Sequence, residues 1–452
     1  MDATDLPATA TLARFAKGLD FEDVPSATRQ TVRFCLIDAV ACAAFGATLP
    51  WSQSVLRVAQ AAGREGRSQV VGARGTRLHP TPASLALGAF SHAFELDNLR
   101  KPGLGVHGGA TVALPALAVA QHFGASGRDL VTAIVAGIEV MFRIGVATLH
   151  TPEKEGFHAP GLTGPFGAAT ACCLLLGASE RQIMDAYGIA GSLSSGLLAF
   201  SKASQGGMVK RLHLGRAAES GVLATLLAME GFEGPHTVLD GKYGLLDAFC
   251  SKSDASRLTA GLGEVWEADR ICFKSTACHI TAHSPLEAMR QLRSEFKLTA
   301  DEIEAIEIEG SDKMVSHHNI KEPADIMLAQ YSIPFVVAAS LYRDVGDPAV
   351  FDDKLIGDAQ VRDMAQRISL SERSNPDAPG GWGVDLTVIL RDGRRLSRTI
   401  DVFPGTPEKP FTEEEIGAKF MTLTKGLEDP RALLERLQAI ETLENVADLD
   451  LD

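Results

Sequence analysis

Apolar residues recur three and four apart along most of the first 270 positions, the spacing that lines one face of a helix. Residues 8–47 read as two helices. The second, around Thr28–Gly46, carries Val32, Cys35, Leu36, Ala39, Val40 and Ala43 behind a Pro25-Ser26 entry turn. A further helix is predicted at Ser54–Ala62, followed by a Gly-rich turn region and a strand-like Gln69-Val70-Val71-Gly72. From Thr81 onward helices are predicted near 82–95, 110–123, 127–149, 162–177, 179–187, 213–230 and 240–250. Gly or Pro separates most of them, and Gly177 is a C-terminal stop signal. Asp129 to Thr148 is apolar nearly all round, which marks a buried central helix.

The period changes after about residue 267. Ile303–Gly310 alternates apolar and acidic residues, the pattern of a half-buried strand. Gly383–Arg398, with Arg391-Asp392-Gly393 at its centre, reads as a β-hairpin with a tight Asp-Gly turn. Helices are predicted at 284–296, 332–343 and 358–367, and again over Phe411–Leu437 behind Thr412-Glu413-Glu414-Glu415. The fold expected is mainly α. Residues 1–267 and 404–452 form an all-helical domain, and 268–403 form a smaller α+β domain inserted before the C-terminal helices.

Composition adds size and partner class. The 452 residues are 45% hydrophobic, enough for a sizeable packed core. Aromatics are only 6% while Gly and Ala abound, which suits helices in close contact through small residues. A formal net charge of −14 argues against a nucleic-acid or anionic-membrane partner. The start, Met-Asp-Ala-Thr-Asp-Leu-Pro, lacks the basic and apolar regions of a signal peptide. The longest apolar stretches, near 110–121 and 168–177, fall short of the roughly 20 residues of a membrane span. Seven cysteines make no CxxC pair and no ligand set with histidine. A soluble, cytoplasmic protein with reduced thiols is expected.

Against the acidic balance, 205–232 puts Lys210, Arg211, His213 and Arg216 at the mouth of a long helix of small residues that ends at Gly231. Cations beside free N–H groups and a helix dipole suit an anion, here one wall of a pocket for a small polycarboxylate. Three other stretches carry histidines. In the segment from Glu95 to Gly109 a helix ends among acids and a Pro/Gly-rich loop delivers His107, either as a catalytic group or as part of an ordinary connection. His158 precedes a Gly- and Pro-rich helix start, where the glycines allow either ligand approach or close helix packing. From Cys272 to Pro285 come Lys274, Cys278, His279 and His283. Zinc there would lack the Glu of an HExxH set, Cys278 is a conceivable nucleophile, and Lys274 with a histidine would give a carboxylate clamp and a base. No GxGxxG after a strand, GxxxxGK[ST] or GxSxG occurs, so no nucleotide cofactor is indicated. Histidines with lysines and arginines suit proton abstraction alpha to a carboxylate.

Together these stretches resemble the MmgE/PrpD family, which includes 2-methylcitrate dehydratases, cis-aconitate decarboxylases and iminodisuccinate epimerases. The likeness runs nearly end to end. It rests on Ile37-Asp38-Ala39, Ser91-His92-Ala93-Phe94-Glu95-Leu96-Asp97-Asn98, Gly156-Phe157-His158, Val209-Lys210-Arg211-Leu212-His213, Lys274 with His279, Phe403-Pro404-Gly405-Thr406-Pro407 and Lys419-Phe420. It implies a cofactor-free, metal-free homodimer with a helical domain, an α+β lid and an active site at their junction. The family's catalytic positions fall on His107, His158, Lys210, Lys274 and His279, with Arg211, His213 and Arg216 left to support or packing. Substrate contacts are expected from Glu95, Asp97, Arg100, Lys101 and Phe335. Two departures bear on substrate. Glu95-Leu96-Asp97-Asn98-Leu99 stands where members usually read Asp-Phe-Asp-Asp-Thr, and Phe335 stands where decarboxylase-like members place a tyrosine, with Tyr331 four positions earlier. The resemblance therefore implies a lyase acting on a small di- or tricarboxylate, dehydratase-like or decarboxylase-like. An epimerase or isomerase is the alternative, and a non-catalytic carboxylate-binding protein is the alternative of another class.

Overall fold

Small residues decide how the helices meet. In the computed structural model, which describes residues 7–102, 106–202, 207–374 and 381–452, helix Val209–Met229 packs against helices Ala159–Leu175 and Pro80–Ser91. A Cβ on Gly215 would lie 2.3 Å from the Leu85 carbonyl oxygen, and one on Gly221 would lie 2.7 Å from that of Pro165. Gly137 and Gly167 meet the same way, each Cβ falling within 3 Å of the other's carbonyl oxygen. Backbone cannot retreat as a flexible side chain can, so Gly215→Ala is expected to cost about 1–3 kcal/mol in a urea unfolding curve.

The fold is mainly α and divides into two units. The first holds the chain up to Ala93, Asp97–Cys272 and Thr412–Asp452; the second holds Phe94–Leu96 and Phe273–Phe411. Helices of the first unit start where capping groups stand. Ser126 and Asp129 form a capping box at Gly127–Ala147, and Thr412 and Glu415 form one at Glu413–Leu423. Two helices, Ser26–Ala47 and Gly127–Ala147, are long and apolar enough to cross a membrane, which corrects the shorter apolar stretches read from sequence. Their apolar windows are 78% and 94% buried within the fold, as core helices require. The stretch predicted as helix from 110 begins as a π turn, Gly109–Ala113, before Leu114–Phe123.

The second unit carries a four-stranded sheet in the order Ile368–Glu372, Ile303–Gly310, Val384–Leu390, Arg395–Ile400. The first pair is parallel and the others antiparallel. Val384, Leu386, Val388 and Leu390 alternate inward, and helix His283–Phe296 packs on the hairpin. The hairpin turn places Gly393 at φ 88, a conformation that only glycine adopts at low cost. The centre of the Pro/Gly-rich loop (103–105), the start of the basic stretch (205–206) and the beginning of the chain (1–6) lie outside the described residues.

Candidate active site

In the first unit an aspartate stands between two imidazoles. Helix Pro80–Ser91 ends at His92, and the chain turns back so that Asp97 accepts from His92 Nδ1 at 3.0 Å and from His107 Nδ1 at 2.9 Å. His107 Nδ1 also lies 2.9 Å from the Asn98 carbonyl oxygen. A carbonyl only accepts, so His107 carries a proton on Nδ1. All three side chains are buried, and among the described residues His92 Nε2 has no hydrogen-bond partner. Burial alone would raise the Asp97 pKa, but the facing His107 and His92 outweigh it and hold the carboxyl well below the usual range. His92, Asp97 and His107 offer ligand-type atoms within 4.8 Å of one another. The Nδ1 proton of His107 turns that trio toward hydrogen bonding rather than metal ligation.

His158 caps the helix Ala159–Leu175, and its place is fixed by an unusual repair. Pro165 sits inside that helix and has no N–H for the Gly161 carbonyl, which instead accepts from Ser195 N–H at 3.1 Å. The loop so anchored accepts His158 N–H on the Gly196 carbonyl at 3.0 Å. His158 Nδ1 then meets His213 Nδ1 at 3.0 Å, one donating and the other accepting. Burial, then the charge of Lys210, pushes His158 well below its ordinary pKa and lowers His213. Lys210, buried near the start of helix Val209–Met229, also acts on His92, which burial brings down to about 4. The other cations of the stretch are engaged elsewhere. Arg211 donates to the Ala93 carbonyl at 2.7 Å and stacks over Trp51, and Arg216 pairs with Glu219. Arg100 spends its guanidinium on Glu267 at 2.7 Å and the Pro102 carbonyl at 3.1 Å. Lys101 is buried and donates its N–H to the Arg270 carbonyl.

The second unit holds its own cluster. Glu95, at φ 56, takes Lys274 Nζ on its carbonyl oxygen at 3.0 Å and faces the same ammonium with its carboxylate at 3.6 Å. Tyr331 donates its hydroxyl to Glu95 Oε1 at 3.2 Å. His279 does not share a helix face with His283. It caps the turn Ile280–Ala282 with Nδ1 facing the Thr281 N–H and hydroxyl, while His283 opens the next helix. Accepting at Nδ1 leaves the His279 proton on Nε2, so this ring presents a donor. It stacks on His318 with centroids 4.0 Å apart, and His318 Nδ1 donates to the Tyr331 carbonyl at 3.0 Å. Burial, then His318, lowers His279 well below its usual pKa, and burial takes His318 to about 4. The Cys278 thiol is pushed up to about 12 by burial, which removes the nucleophile reading. Phe335 is fully buried in helix Ile333–Tyr342.

These neutral, buried imidazoles set the acid limb of stability. Their folded pKa values lie below the ordinary 6.5, so as pH falls the unfolded chain takes up protons that the folded chain refuses. Stability is full above about pH 6.5 and is lost on the way down to about 4, His92 and His318 each contributing on the order of 3 kcal/mol. Urea titrations at stepped pH check this. A flat stability from pH 7 to 4.5 would contradict it.

Residues 10–258 match the MmgE/PrpD N-terminal domain, and residues 277–445 match the MmgE/PrpD C-terminal domain. The chain belongs to the MmgE/PrpD family. It is 28% identical over 468 residues to the cis-aconitate decarboxylase of Aspergillus terreus (strain NIH 2624 / FGSC A1156), covering 98% of this chain and 94% of that protein. It is also 28% identical to the cis-aconitate decarboxylases of Mus musculus, over 84% of this chain and 79% of that one, and of Homo sapiens, over 84% and 80%. Of the MmgE/PrpD positions read from sequence, His107, His158 and Lys210 gather with Asp97 in the first unit. Lys274, His279 and Glu95 gather in the second, and Arg100 and Phe335 are tied to neither group by a described contact. Sequence reasoning missed His92, His213 and His318 as neighbours of these groups. His92 carried a signal, because it lies in the same short segment as Asp97.

Proposed function

We propose that the protein is an MmgE/PrpD-type lyase that acts without a cofactor on a small di- or tricarboxylate by moving a proton alpha to a carboxylate. One observation carries this. Asp97 and the Asn98 carbonyl engage His107 through Nδ1, which leaves Nε2 as the ring nitrogen that can exchange a proton with a substrate. When it does, the Asp97 carboxylate stabilises the imidazolium that forms. Lys210 supplies positive charge for a substrate carboxylate, and His158 with His213 offers a second proton carrier. In the second unit, Lys274 and the His279 Nε2–H form a cation and a donor of a kind that suits a carboxylate or an enolate oxygen.

Removal of the alpha proton leaves an electron pair that forms the double bond and expels the beta hydroxyl, which departs as water by taking up the proton that an imidazole has gained. In the decarboxylating course the C–C bond to a carboxylate breaks, carbon dioxide leaves with the bonding pair staying on carbon, and that carbon takes a proton from an imidazole that has drawn it from solvent. The names of the relatives favour decarboxylation of cis-aconitate. The absence of a hydroxyl at Leu99 and Phe335 favours a second reading, an epimerase that only exchanges the alpha proton. Incubation with cis-aconitate, citrate, 2-methylcitrate and an amino-diacid, followed by proton NMR, tests both. Loss of carbon dioxide or water from one of them is expected; exchange alone identifies the epimerase. Thermal stabilisation by these acids with neither turnover nor exchange would instead indicate a carboxylate-binding protein. A cytoplasmic homodimer belongs to the same proposal, and sedimentation of the purified protein checks its size.

A further inference from the structure

Behind His107 runs a buried polar chain that ends on the Asn98 carbonyl. Lys419, on helix Glu413–Leu423, pairs with Asp38 Oδ1. Asp38 Oδ2 accepts the backbone N–H of Asn98 at 3.0 Å and its side-chain Nδ2 at 2.9 Å. Asn98 Oδ1 in turn accepts the Gly109 N–H at 3.1 Å, and the Asn98 carbonyl accepts from His107 Nδ1. Gly109 has no room for a side chain, since a Cβ there would lie 2.5 Å from Asn98 Nδ2. Asp38 and Asn98 are at most 1% exposed, and the Lys419 side chain is 8% exposed. Such a chain is costly to bury and is stable only when every member is satisfied.

We propose that Lys419, Asp38 and Asn98 are positioning residues, a buried relay that fixes the Asn98 carbonyl against His107 Nδ1–H and so leaves His107 Nε2 as the nitrogen that exchanges a proton. This rests on the reading of His107 as the proton carrier. The Lys419 ammonium holds one oxygen of Asp38, the other oxygen takes the backbone N–H and the side-chain Nδ2 of Asn98, and the peptide carbonyl is thereby aimed. The wanted tautomer follows from that aim.

Full-length protein labelled with nitrogen-15 histidine reports the tautomer without substrate, the His107 signal being assigned by its loss in His107→Gln. The neutral ring of the native protein is expected to be the Nδ1–H tautomer. Asn98→Ala leaves the peptide carbonyl unaimed and only Asp97, shared with His92, against His107 Nδ1, so a fraction of the Nε2–H tautomer is expected. With cis-aconitate as the probe it is expected to lose roughly 10–100-fold in kcat with little change in KM. Asn98→Asp keeps the shape but faces the Asp38 carboxylate, so the pair must share a proton. That variant is expected to regain kcat at acid pH and lose it as pH rises. An Nε2–H tautomer in the native protein overturns the relay, and so does Asn98→Ala with tautomer and kcat unchanged. The native tautomer decides the matter where Asn98→Ala does not fold. A shifted tautomer in Asn98→Ala, with no probe acid turned over by the native protein, would sink the lyase reading and leave the relay standing.

Discussion

Asp97→Asn is expected to lower kcat by about 10²–10⁴ while leaving a folded protein. The amide keeps the shape of the carboxylate but loses its charge, and it offers one acceptor where two imidazole Nδ1 groups now find two. The Asn98 carbonyl still holds His107 in its Nδ1–H form, so the tautomer survives. What disappears is the negative charge that stabilises the imidazolium once the proton has moved. The loss therefore belongs in kcat rather than KM. Circular dichroism establishes folding, and single-turnover kinetics establishes the step. A variant retaining more than about half of the native rate would contradict the assigned role.

Lys274→Met is expected to cost about 3–5 kcal/mol of stability and to abolish turnover. Lys274 and Glu95 are both buried, and taking away the ammonium removes the cation that faces the Glu95 carboxylate beside the Tyr331 hydroxyl. The double variant Lys274→Met with Glu95→Gln separates the two effects, because a neutral amide has no charge to strand. Stability should return by about half or more, whereas activity should not return. Activity recovered along with stability would make Lys274 a structural residue.

Much of this fold was legible because its periods are strong. Ile303–Gly310 alternates cleanly and forms a strand over those same residues; the hairpin about Asp392-Gly393 and the helix ending at Met229 were equally plain. The strand Ile368–Glu372 was not anticipated. It is a short edge strand, Ile-Ser-Leu-Ser-Glu, whose partner lies some 60 residues earlier and pairs in parallel. Helix Ala159–Leu175 starts ahead of the predicted 162, and its interior Pro165 is tolerated because the Ser195 N–H takes the Gly161 carbonyl. The site was legible in its charges and not in its partnerships. The sequence presents Asp97 among several acids, but which imidazoles fold onto it depends on the turn after helix Pro80–Ser91. His213 looked like one cation of a basic stretch and proves to be the hydrogen-bond partner of His158, 55 residues away. Tyr331 looked misplaced as a substitute for a hydroxyl at Phe335, and the fold brings its hydroxyl to Glu95.

The central claim is that His107 carries a proton to or from the carbon alpha to a carboxylate. The most direct measurement is deuterium incorporation from heavy water into cis-aconitate or its product, read by NMR for the native protein and for His107→Gln. The account predicts deuterium at that carbon with the native protein and a loss of at least about 10²-fold with the variant. Product formed by the native protein without deuterium at that carbon, or equal incorporation by His107→Gln, would contradict it.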